Sequence, residues 1–188
     1  FEEKQYFSQT YAQVAVNRTT LFTYDSSDTF LKSSKTYKDT FERSAKPTID
    51  TVTPFETNAS NISQNDIKQI AIYTGPEGEE VIDWSQDQSF NGTEIVASRT
   101  TLYTYNGNGS LGNTATYTDT TLRAVGDTKP VLASSALKSK TYFFGSKGEE
   151  KQSFSQTYAQ GAVNRTTLFT YDSSDTVLKS SKTYKDTF

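Results

Sequence analysis

The chain has 188 residues, a net charge of −3 and no Cys, His or Met, so disulfide staples, thiolate chemistry and imidazole bases or metal ligands are all excluded. Hydrophobic residues reach only 33% while aromatics reach 13% and Ser plus Thr make up roughly a quarter, too little aliphatic mass for a thick globular core. Interspersed Lys and Glu leave no nucleic-acid footprint, and no apolar run approaches membrane-spanning length.

Residues 2–16 read as one long or broken strand with Phe7, Tyr11, Val14 and Val16 inward. From Arg18 to Tyr24, Thr20, Phe22 and Tyr24 alternate with Thr19, Leu21 and Thr23, a period of two that predicts a strand. Asp25-Ser26-Ser27-Asp28 is turn chemistry, and Phe30–Tyr37 returns with Leu31, Ser33, Lys35 and Tyr37 on one face. The result is a β-hairpin. Residues 42–66 hold Pro47 and Pro54 without clean periodicity, which predicts a connection contributing one short strand and packing outside the sheet or between chains. A second hairpin follows, Lys68–Tyr73 running through Gly75 and Gly78 into Glu79-Glu80-Val81, where paired glycines suit a turn needing positive φ.

The text then repeats. Glu79–Gln86 and Arg99–Tyr105 restate 2–9 and 18–24 in weaker form, with Trp84 for Phe7 and Asn106-Gly107-Asn108-Gly109 at the hairpin tip, a strong hairpin signal. A second connection, 120–135 with Pro130, leads to the hairpin of Lys138–Phe144, Gly145 and Gly148. Residues 149–188 then reproduce 2–41 without a gap at an offset of 147, differing only at Tyr6/Ser153, Val14/Gly161 and Phe30/Val177. Self-similarity at a fixed period marks an array whose units bury their faces against neighbours. The expected organisation is a half-unit at 2–78, a second at 79–148, and the start of a third at 149–188. Such a chain reads as a window on a longer tandem array. The fold expected is all-β, tandem β-hairpin repeats forming a β-solenoid or stacked-sheet fibre, with tandem β-sandwich modules as the alternative.

The tip Tyr105-Asn106-Gly107-Asn108-Gly109-Ser110-Leu111, together with Tyr24-Asp25 and Leu31 and their copies Tyr171-Asp172 and Leu178, resembles the YD repeats of Rhs-type proteins and teneurins. The two outer tips add one residue and carry Asp where the family has Gly. The resemblance spans the hairpins and not the connections. It implies long β-sheet ribbons building shells or surface structures without enzymatic activity of their own. The 147-residue period favours an open filament over a closed shell.

The tips at 25–28 and 106–109 offer oxygens of the kind calcium takes, but no bidentate Glu follows, so they read as plain turns. Glu79-Glu80 and Glu149-Glu150 are adjacent on a strand and point to opposite faces, so they read as solvated charge and not as a glycosidase pair. Arg18, Arg99 and Arg165 each precede Thr-Thr and are expected to pair with carboxylates on neighbouring strands. Asn-x-Ser/Thr occurs at Asn17, Asn58, Asn61, Asn91, Asn108 and Asn164, six candidate glycosylation sites. Phe7, Trp84 and Phe154, with Tyr24, Tyr105 and Tyr171, are the expected repeat-core aromatics, and a sugar-stacking role for the first three is the alternative. No catalytic residue, cofactor or metal site is expected. The functional expectation is a non-enzymatic extracellular or cell-surface structural protein, self-assembling head to tail into a β-rich filament. An adhesin stalk or carbohydrate-binding module with polysaccharide as partner, and an Rhs-type shell around a toxin, are the alternatives.

Overall fold

A computed structural model describes residues 3–52 and 54–186. Glu2, Thr187 and Phe188, at the outer limits of the two near-identical copies, lie outside the described residues. The structure is all-β: the helical elements among the described residues are two 3-10 turns of three residues each, Gln64–Asp66 and Ser134–Ala136.

The chain divides into two compact units, one running up to Ser98 and including Thr120–Thr128, the other comprising Arg99–Asp119 and the residues from Lys129 onward. The first holds β1 (Phe7–Ala12), β2 (Ala15–Tyr24), β3 (Leu31–Lys38), β4 (Thr48–Asp50), β5 (Asn61–Ser63), β6 (Ile67–Thr74) and β7 (Val81–Phe90). Next, β8 (Ile95–Tyr105) begins in the first unit and passes into the second, which also holds β9 (Leu111–Thr118), β10 (Leu137–Phe144), β11 (Lys151–Ala159), β12 (Ala162–Tyr171) and β13 (Leu178–Lys185). In each unit the sheet follows chain order, β1-β2-β3-β6-β7 in the first and β8-β9-β10-β11-β12-β13 in the second. The repeat boundary at Glu149 therefore falls inside a sheet, where β10 pairs with β11 from Ser139↔Thr157 to Phe144↔Lys151.

Alternation sets what each strand buries. On β2, Val16, Thr19 and Leu21 are buried, so the Thr19/Leu21 row is the inward one. On β3, Ser33, Ser34 and Tyr37 are buried and Lys35 is exposed. The first connection forms two short strands where one was expected, β4 and β5, which pair in parallel. Arg43, Pro47 and Ile62 of this segment are buried.

The stretch expected as one long or broken strand over 2–16 is broken by a reversal, β1 ending at Ala12 and β2 beginning at Ala15. Ala12 pairs with Ala15, and Gln13-Val14 is the two-residue loop of a hairpin between β1 and β2. Val14 is 98% exposed and Tyr11 56% exposed, Phe7 is half-buried, and only Val16 of the expected inward set is buried. The reason is Gln13, whose φ of 55° reverses the chain at a residue that carries no turn signature. At the same loop in the other copy, Gln160 and Gly161 have φ of 54° and 83°, so the Val14/Gly161 difference falls on a turn residue. The middle copy turns in the same region on Asn91-Gly92, where Asn91 N donates to Glu94 O and Gly92 has φ 102°. That Asn-Gly was the available signal. Since a non-glycine side chain in the left-handed region costs roughly 1–2 kcal/mol, Gln13→Gly is expected to stabilise the protein by about 1 kcal/mol. A urea midpoint unchanged or lowered by this substitution refutes that account.

In five hairpins the leading strand shifts register just before its turn, as a β-bulge does. The register shifts at Thr23/Tyr24, Ile72/Tyr73, Thr104/Tyr105, Tyr142/Phe143 and Thr170/Tyr171. An aromatic residue occupies every one of these positions. A bulge leaves one residue unpaired and sharpens the local twist, so the aromatics recurring before turns mark where each of these strands departs from regular pairing.

Candidate functional site

The Arg-Thr-Thr motif organises the polar interior of the sheet. Its two threonines point to opposite faces and make two different bonds. The second meets a threonine on the next strand: Thr20 and Thr36 at 2.9 Å, Thr101 and Thr116 at 2.9 Å, Thr167 and Thr183 at 2.8 Å. The first donates to an aspartate just beyond that strand: Thr19 Oγ1 to Asp39 Oδ2 at 2.5 Å, Thr100 to Asp119 at 2.8 Å, Thr166 to Asp186 at 2.7 Å. Among the described residues no ion pair joins Arg18, Arg99 or Arg165 to a carboxylate. Arg18, Arg99 and Arg165 are exposed, and the residues opposite them are Lys38, Thr118 and Lys185.

An ion pair forms between the end of β3 and the first connection. Arg43 Nε donates to Asp39 Oδ2 at 2.6 Å and Nη2 to Oδ1 at 3.0 Å, with both side chains almost completely buried. Phe41 N supplies a fourth donor to the Asp39 carboxylate. Burial alone raises the Asp39 carboxyl, but bonds from Arg43, Thr19 and the Phe41 N–H outweigh it and hold the group below its ordinary value. Gln9 completes the clamp: its Nε2 donates to Thr19 Oγ1 and to Phe41 O, and its Oε1 accepts from Arg43 N. Gln86, at the equivalent place on β7, holds the second connection by the same grip, donating to Thr121 O and accepting from Arg123 N. Asp39-Thr-x-x-Arg43 and Asp119-Thr-x-x-Arg123 are the sequence signal for this network.

The hairpin tips are closed by their own side chains. Asp25 Oδ1 accepts from the N–H of Thr29 at 2.7 Å and of Phe30 at 3.0 Å, and Oδ2 accepts from Ser27 Oγ. Asp172 does the same with Thr176, Val177 and Ser174. In the middle tip Asn108 Oδ1 accepts from Ser110 N and Oγ. These oxygens are committed to the turn. The Ser27 hydroxyl and the Phe30 and Thr29 N–H groups lower the Asp25 carboxyl, and the Val177 and Thr176 N–H groups take Asp172 down to about 2. A carboxylate depressed in the folded state contributes stability above its unfolded value of about 3.9, and that contribution fades as pH falls toward the folded value. The melting temperature is therefore expected to fall more steeply between about pH 4 and pH 2 in the wild type than in an Asp25→Asn/Asp172→Asn variant. Parallel curves would show that the tips do not carry the acid sensitivity.

The glutamate pairs are not merely solvated charge. Glu80 Oε1 accepts from Leu31 N at 3.1 Å, and Glu150 Oε1 accepts from Leu111 N at 2.9 Å. In each case the carboxylate caps the first residue of a strand two places away in the sheet. The bond to Leu31 is the main influence lowering Glu80, as the bond to Leu111 is for Glu150.

Trp84 is fully buried and has no face to offer a sugar. Its Nε1 has no hydrogen-bond partner. Phe7 and Phe154, at the equivalent strand positions, are half-buried, as are Tyr24, Tyr105 and Tyr171. Phe154 stacks on Tyr142 with ring centroids 4.3 Å apart. Tyr6 packs edge-on against Tyr24 at 5.8 Å; where Ser153 replaces it in the other copy, Phe144 packs edge-on against Tyr171 at 5.6 Å. Among the sequons, Asn17 and Asn164 are exposed on strands, Asn58, Asn91 and Asn108 accept backbone N–H bonds within turns, and the Asn61 side-chain oxygen is buried.

A groove of about 570 Å³ beneath the first connection has Leu21, Tyr37, Ile49 and Ile67 in its wall, with Lys35 and Lys46 beside them and no carboxylate. No helix among the described residues is long and apolar enough to cross a membrane. No protein-family model matches the chain, and no curated protein matches it either.

Proposed function

We propose that this chain is a non-enzymatic structural repeat protein, a building block of an extracellular β-rich filament or fibre whose copies join through sheet edges. One observation carries this reading. The eight residues Leu31–Lys38 and Leu178–Lys185 are the same sequence, yet they meet opposite fates. On β3 the sequence is covered on both edges, by β2 and β6, and Tyr37 is 2% exposed. On β13 every residue is exposed, and Tyr184 stands at 50%. A strand sequence that the first copy of the repeat places inside a sheet is suited to pairing on both of its edges, and head-to-tail contacts between repeats that do not close into a ring propagate. The absence of Cys, Met and His suits an extracellular life with few oxidisable side chains.

Negative-stain microscopy of the concentrated protein tests the reading. Uniform linear assemblies that lengthen with concentration are the expected result. Monomers at every concentration, by microscopy and by sedimentation, would overturn it.

A further inference from the structure

We propose that the groove beneath the first connection binds a small anionic amphiphile, a molecule with one carboxylate head and an apolar body. Lys35 and Tyr37 take the head, while Leu21, Ile49 and Ile67 take the body. The groove lies wholly within the first unit, so the site does not depend on assembly of copies.

The inward face of β3 supplies the anchor. Lys35 stands opposite Leu21 on β2 and opposite Ile70 on β6. Residues directly opposite one another share a face of the sheet, and both of these neighbours are buried. Lys35 therefore lays its stem along apolar surface while its ammonium stays in the open. Packing of the repeat does not require a charge here. In the weaker copy the equivalent pair is Leu102 and Ala115, and Ala115 is buried. Among the described residues Lys35 makes no ion pair, and no carboxylate stands in the groove wall. A cleft lined by one sign of charge over low-dielectric walls favours a ligand of the opposite sign. Lys46 adds to the positive potential but has a structural duty. Its Nζ donates to Phe22 O at 3.1 Å, and Lys129 makes the same bond to Tyr103 O in the weaker copy.

Tyr37 is the second, independent observation. It follows Lys35 by two residues, so the two side chains leave the same face roughly 7 Å apart along the strand. Tyr37 lines the groove and is almost completely buried, yet its hydroxyl has no hydrogen-bond partner among the described residues. Burial pushes that hydroxyl up to about 12, so it stays protonated and donates. Buried polar groups are ordinarily partnered, and a carboxylate held by Lys35 provides the acceptor this one lacks. The volume of about 570 Å³ falls within the roughly 300–1,000 Å³ of small-molecule pockets.

The test titrates the full chain with octanoate, read by calorimetry and by amide chemical shifts, with octan-1-ol as the neutral control. Saturable binding is expected, with shifts concentrated at Leu21, Tyr37, Ile49 and Ile67, and octan-1-ol is expected to bind more weakly. Lys35→Gln is expected to weaken octanoate about tenfold through loss of the charge-assisted bond, with octan-1-ol unchanged. Lys182→Gln makes the same charge change at the matching place on β13 and is expected to leave octanoate binding as it was. Tyr37→Phe keeps the ring, and is expected to weaken octanoate while the melting temperature holds. The proposal is overturned if octanoate does not saturate below its micelle concentration, or if the shifts fall elsewhere. Equal binding of octanoate and octan-1-ol, or equal effects of the two lysine substitutions, would also overturn it. Filament formation and octanoate binding are separate readouts, so either reading fails without the other.

Discussion

Replacing Asp39 with Ala is expected to destabilise the first unit by about 3–5 kcal/mol, the cost of leaving one member of a buried ion pair uncompensated. Four donors converge on this carboxylate: two from the Arg43 guanidinium, the Thr19 hydroxyl and the Phe41 N–H. Removing it strands the Arg43 charge in a site where the side chain is 1% exposed. The remaining acceptors, the carbonyls of Ala59 and Asn61 at 3.1 and 3.3 Å, are neutral and do not balance that charge. Trp84 is the only tryptophan in the chain and lies in the same unit, so its fluorescence follows the relevant transition in urea. The double variant Asp39→Ala/Arg43→Met separates pairing from burial. With the charge gone as well, it is expected to recover at least about 1 kcal/mol relative to the single variant, as neighbouring residues couple on this scale. A single variant within about 1 kcal/mol of wild type would show that Arg43 finds another anion or moves into solvent.

The same network shows where sequence reading stops. The hairpins at β2–β3, β6–β7, β8–β9 and β10–β11 were legible because two-residue alternation and Gly, Asn and Ser turns are local signals. The β1–β2 hairpin was hidden because Gln13 supplies a positive φ without a turn residue's signature, and only Asn91-Gly92 in the weaker copy marked the place. Arg18 was expected to find a carboxylate because it recurs. Yet its neighbour across the strands is Lys38, and Asp39 pairs instead with Arg43, four residues on and beyond the end of β3, where strand alternation does not point. The Glu80 and Glu150 caps were equally out of reach. Adjacent carboxylates at a turn look like solubility, and only the sheet order brings Leu31 and Leu111 within hydrogen-bond distance of them. Local chemistry thus fixed the hairpins, while the bonds between non-adjacent strands depended on register.

Trp84→Ala is expected to cost about 3–5 kcal/mol, the range for removing a large aromatic from a packed interior. Trp84→Phe is the more informative substitution. Trp84 is fully buried, opposite Ile72 on β6, and its indole N–H lacks a partner. Losing part of the ring costs some packing, but losing an unsatisfied donor returns a desolvation penalty of roughly 1–3 kcal/mol. The two terms oppose each other, so Trp84→Phe is expected to fall within about 1 kcal/mol of wild type. The other copies carry phenylalanine at this position: Phe7 and Phe154 follow the same Glu-Glu at the same spacing, and Phe154 packs directly on Tyr142. The position therefore accepts a phenyl ring in the same strand context. Circular dichroism in urea reads both variants without relying on the tryptophan itself. If Trp84→Phe proves as costly as Trp84→Ala, the indole N–H is satisfied in solution, and the tryptophan is held there by a hydrogen bond as well as by its bulk.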